Sequence, residues 1–151
     1  MKTSVKSVRV DDGTVRDIER LRRGRHATFS SLASELLAEA AKMRRCPGVV
    51  FADGPYGRRA RVEGTGIEVW EVLASWLAVG KDEKRLRKAY AWLSDRQLLA
   101  VLGYYRVYPK EIDELIEANG ADEGSVLERL PFARRSPRTT SGSSQRESRS
   151  T

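Results

Sequence analysis

Cysteine and histidine are almost missing from these 151 residues, with one of each, Cys46 and His26. A lone cysteine excludes an internal disulfide, and a lone histidine without carboxylates at ligand spacing offers no metal site. Cys46 therefore reads as a small linker or core residue and His26 as a polar turn residue. Long apolar runs are also missing: none approaches the roughly 18 residues that a membrane span requires. The opening "MKTSVKSVRV" carries charge with no apolar segment behind it, so export is not expected and a cytoplasmic, membrane-free protein is. Signs of catalysis are equally thin. The fragment "GPYGRR" lacks the Gly-Lys-Ser/Thr ending of a phosphate loop, and Glu111, Asp113 and Glu114 lie on a charged helix face rather than in a metal-holding cluster. Neither enzymatic activity nor a bound cofactor or metal is expected.

Positive charge is what the chain has in excess, and its placement matters more than its total. The net charge is +7. Residues 1–45 carry 11 basic and 6 acidic side chains, residues 46–130 carry 12 and 14, and residues 131–151 carry 5 and 1. An anionic partner such as nucleic acid is thus expected at the two ends rather than in the middle. Solvated arginine faces are the plainer reading of "RLRRGR" taken alone. The final stretch, "PFARRSPRTTSGSSQRESRST", has almost nothing apolar after Phe132. It cannot offset the entropy of ordering, and residues 121–151 are expected to be a linker and a disordered basic tail.

With 40% hydrophobic residues, the remainder can bury one modest core or two small ones. From Ser7 to Val10 the side chains alternate, Val8 and Val10 to one side, Ser7 and Arg9 to the other, as in a strand. "DDGT" ends it, and Val15, Ile18 and Leu21 recur at helical spacing until "GRHAT" stops the helix near Gly24. Thr28 is placed to cap a second helix whose Ala33, Leu36, Leu37, Ala40 and Met43 form an apolar stripe. Such a unit of about 45 residues cannot bury enough surface alone, and a lone strand leaves its ladder groups unpaired. Pairing two copies antiparallel about a two-fold axis resolves both problems and yields a two-stranded ribbon of a width that fits the major groove of DNA.

In the order "VRV", "VRDIERL", "TFSSLASELLAEA", this segment resembles the ribbon-helix-helix family of bacterial repressors and antitoxins. The resemblance implies a homodimer on double-stranded DNA, with base-reading positions at Val5, Ser7 and Arg9 and phosphate-contacting positions at Thr28, Ser30 and Ser31. Two positions depart from the family pattern: Lys6 where an inward apolar residue is usual, and Val5 where a polar reader is.

The middle, residues 46–120, reads as a hairpin from Val49–Phe51 and Ala60–Val62, then helices. Their stripes are Val69, Val72, Leu73 and Trp76; Leu86, Ala89 and Tyr90; Leu98, Val101, Leu102 and Tyr105; and Ile112, Leu115 and Ile116. Ser94 and Gln97 have capping-box spacing, "KDEKRLRK" forms a basic helix with acids at its start, and the last helix runs from near Pro109 to "NG", with Gly120 as a left-handed cap. Of Trp70, Trp76 and Trp92, any left exposed is a candidate interaction hot spot. Through "VEGTGIEVWEVL", "YAWLSDRQLLAVLGYY" and "YPKEIDELI", this part is similar to the antitoxin-associated family called domain of unknown function four-three-three, a winged helix-turn-helix-like module. That family has Gly-Thr-Arg where Gly64, Thr65 and Gly66 stand; the two glycines here suit a tight turn.

The expected fold is mainly α with short β elements: a ribbon-helix-helix over residues 1–45, a small helical bundle with a hairpin over 46–120, and the tail. The resemblances imply a dimeric DNA-binding repressor, the antitoxin of a toxin–antitoxin pair with a PIN-like ribonuclease as partner. Glu111, Asp113, Glu114 and Glu117 are the candidates for covering that partner's basic surface. A stand-alone transcription factor or an interaction adaptor is the alternative.

Overall fold

The computed structural model describes residues 4–120. The expected tail, residues 121–151, lies outside the described residues. In order the elements are α1 (Asp12–Arg22), α2 (Phe29–Arg45), β1 (Val49–Gly54), β2 (Gly57–Val62), α3 (Val69–Ala78), α4 (Glu83–Ala89), α5 (Asp95–Val107) and α6 (Pro109–Gly120). Six helices and a two-stranded antiparallel sheet make the described fold mainly helical.

Helix starts follow local chemistry. Asp11 caps α1 by accepting from the Thr14 amide at 3.0 Å, and Thr28 caps α2 by accepting from the Ser31 amide at 3.1 Å. Asp82 accepts from the Lys84 and Arg85 amides at the head of α4, and Ser94 and Gln97 cap each other's backbone at the head of α5. The last helix ends differently from expectation. Gly120 is the final helical residue and does not take a left-handed conformation. The Asn119 side chain donates to the Leu115 carbonyl at 2.6 Å, one turn back along the helix.

Between α2 and β1 the chain must turn within van der Waals range of α5. Gly48, at φ +93, does this: a Cβ there would sit 2.8 Å from the Ala100 Cβ. The hairpin is in register from Val49 opposite Val62 to Gly54 opposite Gly57. Its alternation turns Ala60 and Val62 inward, with Arg59 and Arg61 on the other face. A turn at Gly64 (φ +75), held by Thr65 Oγ1 donating to the Val62 carbonyl at 2.8 Å, leads into α3.

Helix α3 is the axis of the bundle and packs against β2, α4, α5 and α6. Its Val69, Val72 and Leu73 are fully enclosed, together with Val62, Val101, Tyr104 and Ile112. The stripe expected on α5 is shifted by one residue at its end. Tyr104 is buried, while Leu102 and Tyr105 are only partly so. The Tyr104 hydroxyl reaches Glu111 of α6 at 2.7 Å, which makes a buried phenol tolerable. Inside the bundle, Ser75 and Tyr90 share a hydrogen bond of 2.8 Å.

The front is thinner. Within residues 4–45, Ile18 and Leu32 are the apolar side chains that are buried, where α1 meets α2. Residues 4–10 have no regular structure in the single chain and are exposed throughout. The expected strand is therefore not formed here, because no second strand lies beside it among the described residues.

Burial, followed by the hydrogen bond to Glu111, raises the Tyr104 phenol well above its ordinary pKa, and burial also raises Tyr90. The folded state thus holds these protons more tightly than the unfolded chain. Their contribution to stability is complete below about pH 10 and is lost as pH rises beyond it. In denaturant titrations above about pH 10, the stability of Tyr104→Phe should fall less steeply than that of the parent, by one titrating group. Equal slopes would show that Tyr104 does not carry this dependence.

Candidate nucleic-acid interface

The six positions expected to meet DNA lie on the front unit, in two groups. Val5, Ser7 and Arg9 are exposed in the irregular segment that precedes α1. Thr28, Ser30 and Ser31 form the start of α2, where Thr28 Oγ1 also bonds Ser31 Oγ at 3.1 Å and Ser31 Oγ donates to the Thr28 carbonyl at 3.0 Å. The second group is brought together by capping, and no hydrogen bond joins it to the first among the described residues. Helix N-termini favour anions because their first amides point outward and the helix dipole adds positive potential there. At α2, however, the Thr28 hydroxyl already takes the Ser31 amide.

Around these positions the surface is basic and unusually apolar. Arg16, Arg20 and Arg23 are exposed on or just after α1. Val8 is 71% exposed and Leu37 65%, with Val5, Val10 and Leu21 also in the open. Two of the five residues of the expected α2 stripe are thus uncovered: Ala33, Leu36 and Met43 are partly buried, whereas Leu37 and Ala40 are exposed. These exposed apolar side chains belong to a two-helix unit in which Ile18 and Leu32 are the buried apolar residues.

The hairpin arginines, which sequence spacing did not single out, are committed elsewhere. Arg58 Nε bonds both oxygens of Glu39 at 2.6 and 2.9 Å, and its Nη1 approaches Asp53 at 3.4 Å. Glu39 lies on α2 and is buried, and this bond together with neighbouring carboxylates holds the Arg58 pKa above its ordinary value. Arg59 and Arg61 face Glu68 at 3.4 and 4.0 Å, and Glu68 also accepts from the Trp70 indole at 2.5 Å. Arg25, in the turn before α2, spans Glu35 and Asp53 at 3.7 and 3.6 Å. A second joint pairs Lys42 of α2 with Glu111 of α6, the Lys42 ammonium lying over the Phe51 and Tyr108 rings. Between α2, the hairpin and α6, an open groove of about 660 Å³ is lined by Glu39, Lys42, Phe51, Arg58, Arg59 and Glu111 among others.

The acids expected to face a partner are partly used up by the same packing. Glu111 is engaged by Lys42 and Tyr104, and Asp113 accepts from the Tyr105 hydroxyl at 2.9 Å. Asp113, Glu114 and Glu117 stay exposed, with Glu114 3.8 Å from Lys110. His26 is exposed in the turn between α1 and α2, and Cys46 is buried as the residue that ends α2, where desolvation raises its thiol pKa. Among the described residues no group of three or more His, Cys, Asp or Glu could hold a metal, and no helix is long and apolar enough to cross a membrane.

Residues 50–105, from within β1 to near the end of α5, match the family model described as "Protein of unknown function (DUF433)". A solved structure, the crystal structure of a DUF433 member protein from Anabaena variabilis, aligns with this chain at 24% identity. That alignment covers 72% of this chain and 99% of the other, with a TM-score of 0.40. No curated protein matches the chain.

Removing a partner from a largely buried ion pair costs more than breaking an exposed one, because the remaining charge is left desolvated. Glu39→Ala should lower stability by about 2 kcal/mol, whereas Asp17→Ala, which breaks an exposed pair with Arg20, should change it by less than about 0.5 kcal/mol. Urea denaturation of the two variants compares them directly. Equal effects would mean that Glu39 does not join the front unit to the hairpin.

Proposed function

We propose that this protein is a dimeric DNA-binding transcriptional regulator that works through its front unit. The observation that carries the reading is the uncovered apolar surface of Val8, Val10, Leu21 and Leu37 next to an irregular, exposed segment. A second copy supplies what both lack. Its own residues 5–10 complete an antiparallel ribbon, and its helices cover the exposed leucines. Each Val or Leu side chain buried in this way contributes about 1.5–3 kcal/mol at most. In the paired ribbon Val8 and Val10 face the helices while Val5, Ser7 and Arg9 face outward, where an arginine can donate to guanine and a serine to several base edges.

Charge supports the same division. The front segment has 11 basic side chains against 6 acidic, and phosphate attraction supplies much of protein–DNA affinity. The hairpin arginines are neutralised by Glu39, Asp53 and Glu68, so the hairpin offers less to a phosphate than the front does.

The role of an antitoxin that represses its own operon and neutralises a PIN-like ribonuclease extends this reading, and it rests on the family resemblances. A stand-alone transcription factor or an adaptor is the competing reading. The engagement of Glu111 by Lys42 and Tyr104 favours it, since that acid is already committed within the fold.

Light scattering at micromolar concentration should give a dimer, and Leu37→Glu should give a monomer that keeps its helical content. In gel shifts with the protein's own upstream promoter, Arg9→Ala should weaken specific binding by about 1–3 kcal/mol for each bidentate hydrogen-bond pair it removes. Arg134→Ala should have little effect. A fully folded monomer in the parent protein, or equal weakening by both arginine variants, would overturn the reading.

A further inference from the structure

Helix α4 turns its single buried side chain, Leu86, into the bundle. At about 100° per residue, Lys84, Arg85, Arg87 and Lys88 then fan over the opposite side, and all four are exposed. Arg85 is loosely paired with Asp82 at 3.6 Å and Arg87 reaches Asp95 at the head of α5. Lys84 and Lys88, one turn apart, meet no carboxylate among the described residues.

Directly after this helix stands Trp92. Trp70 and Trp76 are partly buried against the core, but Trp92 is 60% exposed. Its ring leans on Tyr90 with centroids 6.2 Å apart and planes at 56°, an arrangement that steadies the indole while leaving most of it uncovered. Leu99, further along α5, is also exposed.

We propose that α4, the turn after it and the head of α5 form a second binding surface, for single-stranded nucleic acid, with a base stacking on Trp92 and phosphates drawn to Lys84, Arg85 and Lys88. Two features favour a nucleic-acid strand over a protein. Lysine is depleted from protein–protein interfaces, whereas phosphates attract uncommitted lysines. Trp92 stands 60% exposed on the open surface, while protein hot spots sit in well-packed pockets. A flat exposed indole beside a basic helix instead matches the stacking platform and charged track that single strands use, and the bases of a duplex are not free to stack on it. The surface is separate from the front unit and does not depend on the dimer reading.

The test uses the full-length protein and a fluorescein-labelled oligothymidylate about ten nucleotides long, at about 50 mM salt. Binding should quench tryptophan emission. Trp92→Ala should abolish that quenching and weaken binding about tenfold, and Trp92→Tyr should restore most of the affinity. Lys84→Gln combined with Lys88→Gln should flatten the dependence of log affinity on log salt by about 1.4. Thermal melts confirm that these exposed positions leave the fold intact. Unchanged affinity in Trp92→Ala overturns the proposal, as does equal binding of a duplex. Poly-glutamate quenching Trp92 as strongly would make this a protein-binding surface instead, and would overturn it too. Promoter binding in Arg9→Ala is a separate readout, so either reading can fail alone.

Discussion

Two ionic pairs on one face of α2 hold the molecule together front to back: Glu39 with Arg58 of the hairpin, and Lys42 with Glu111 of α6. The front unit has too little core to hold an orientation by hydrophobic packing, with Ile18 and Leu32 its buried apolar residues. Direction therefore comes from charge. Both pairs are largely removed from water, so they are screened less by salt than exposed pairs and impose a specific geometry. The second also carries the Tyr104 hydroxyl, which links α2 to the centre of the bundle through α5. Helix α2 consequently belongs to both units: its first turns pack on α1, and its last turns dock on the hairpin and α6.

This arrangement decides which charges remain for a partner. The hairpin is rich in arginine but its arginines are balanced by Glu39, Asp53 and Glu68, and α6 is rich in acids of which two are held by Lys42 and the tyrosines. Counting charge along the chain overstates both surfaces. Among the described residues, Arg9, Arg16 and Arg23 at the front and Lys84 and Lys88 on α4 are basic side chains that make no ion pair, whereas Arg20, Arg22, Arg25, Arg85 and Arg87 each face a carboxylate.

Most elements were readable because they rest on interactions within a few residues. Thr28 and Ser31, Asp82 and Lys84, and Ser94 and Gln97 are caps whose geometry is complete within one turn. The hairpin and the stripes of α3 and α6 followed from the strand and helix periods. Misreadings arose where another group intervened. Tyr104 replaced its neighbours at the core because Glu111, on the next helix, gives its hydroxyl a partner. Gly120 is helical and does not take the expected left-handed conformation. The candidate front residues were placed by pattern and by resemblance, and in the single chain they form the cap at Thr28 and an uncovered segment before α1.

Sequence by itself determined the helices and the hairpin, the excess of positive charge at the front, and the impossibility of an internal disulfide, since each depends on composition or on spacing within a turn or two. Tertiary structure decided which charges are spent. Arg58 and Glu39 are 19 residues apart, across two element boundaries, and Lys42 and Glu111 are 69 apart. No local period encodes such pairings; they exist only once packing brings the faces together. The same holds for the exposure of Trp92 and Leu37, because an apolar side chain is left in solvent only when every other element has found its place without covering it.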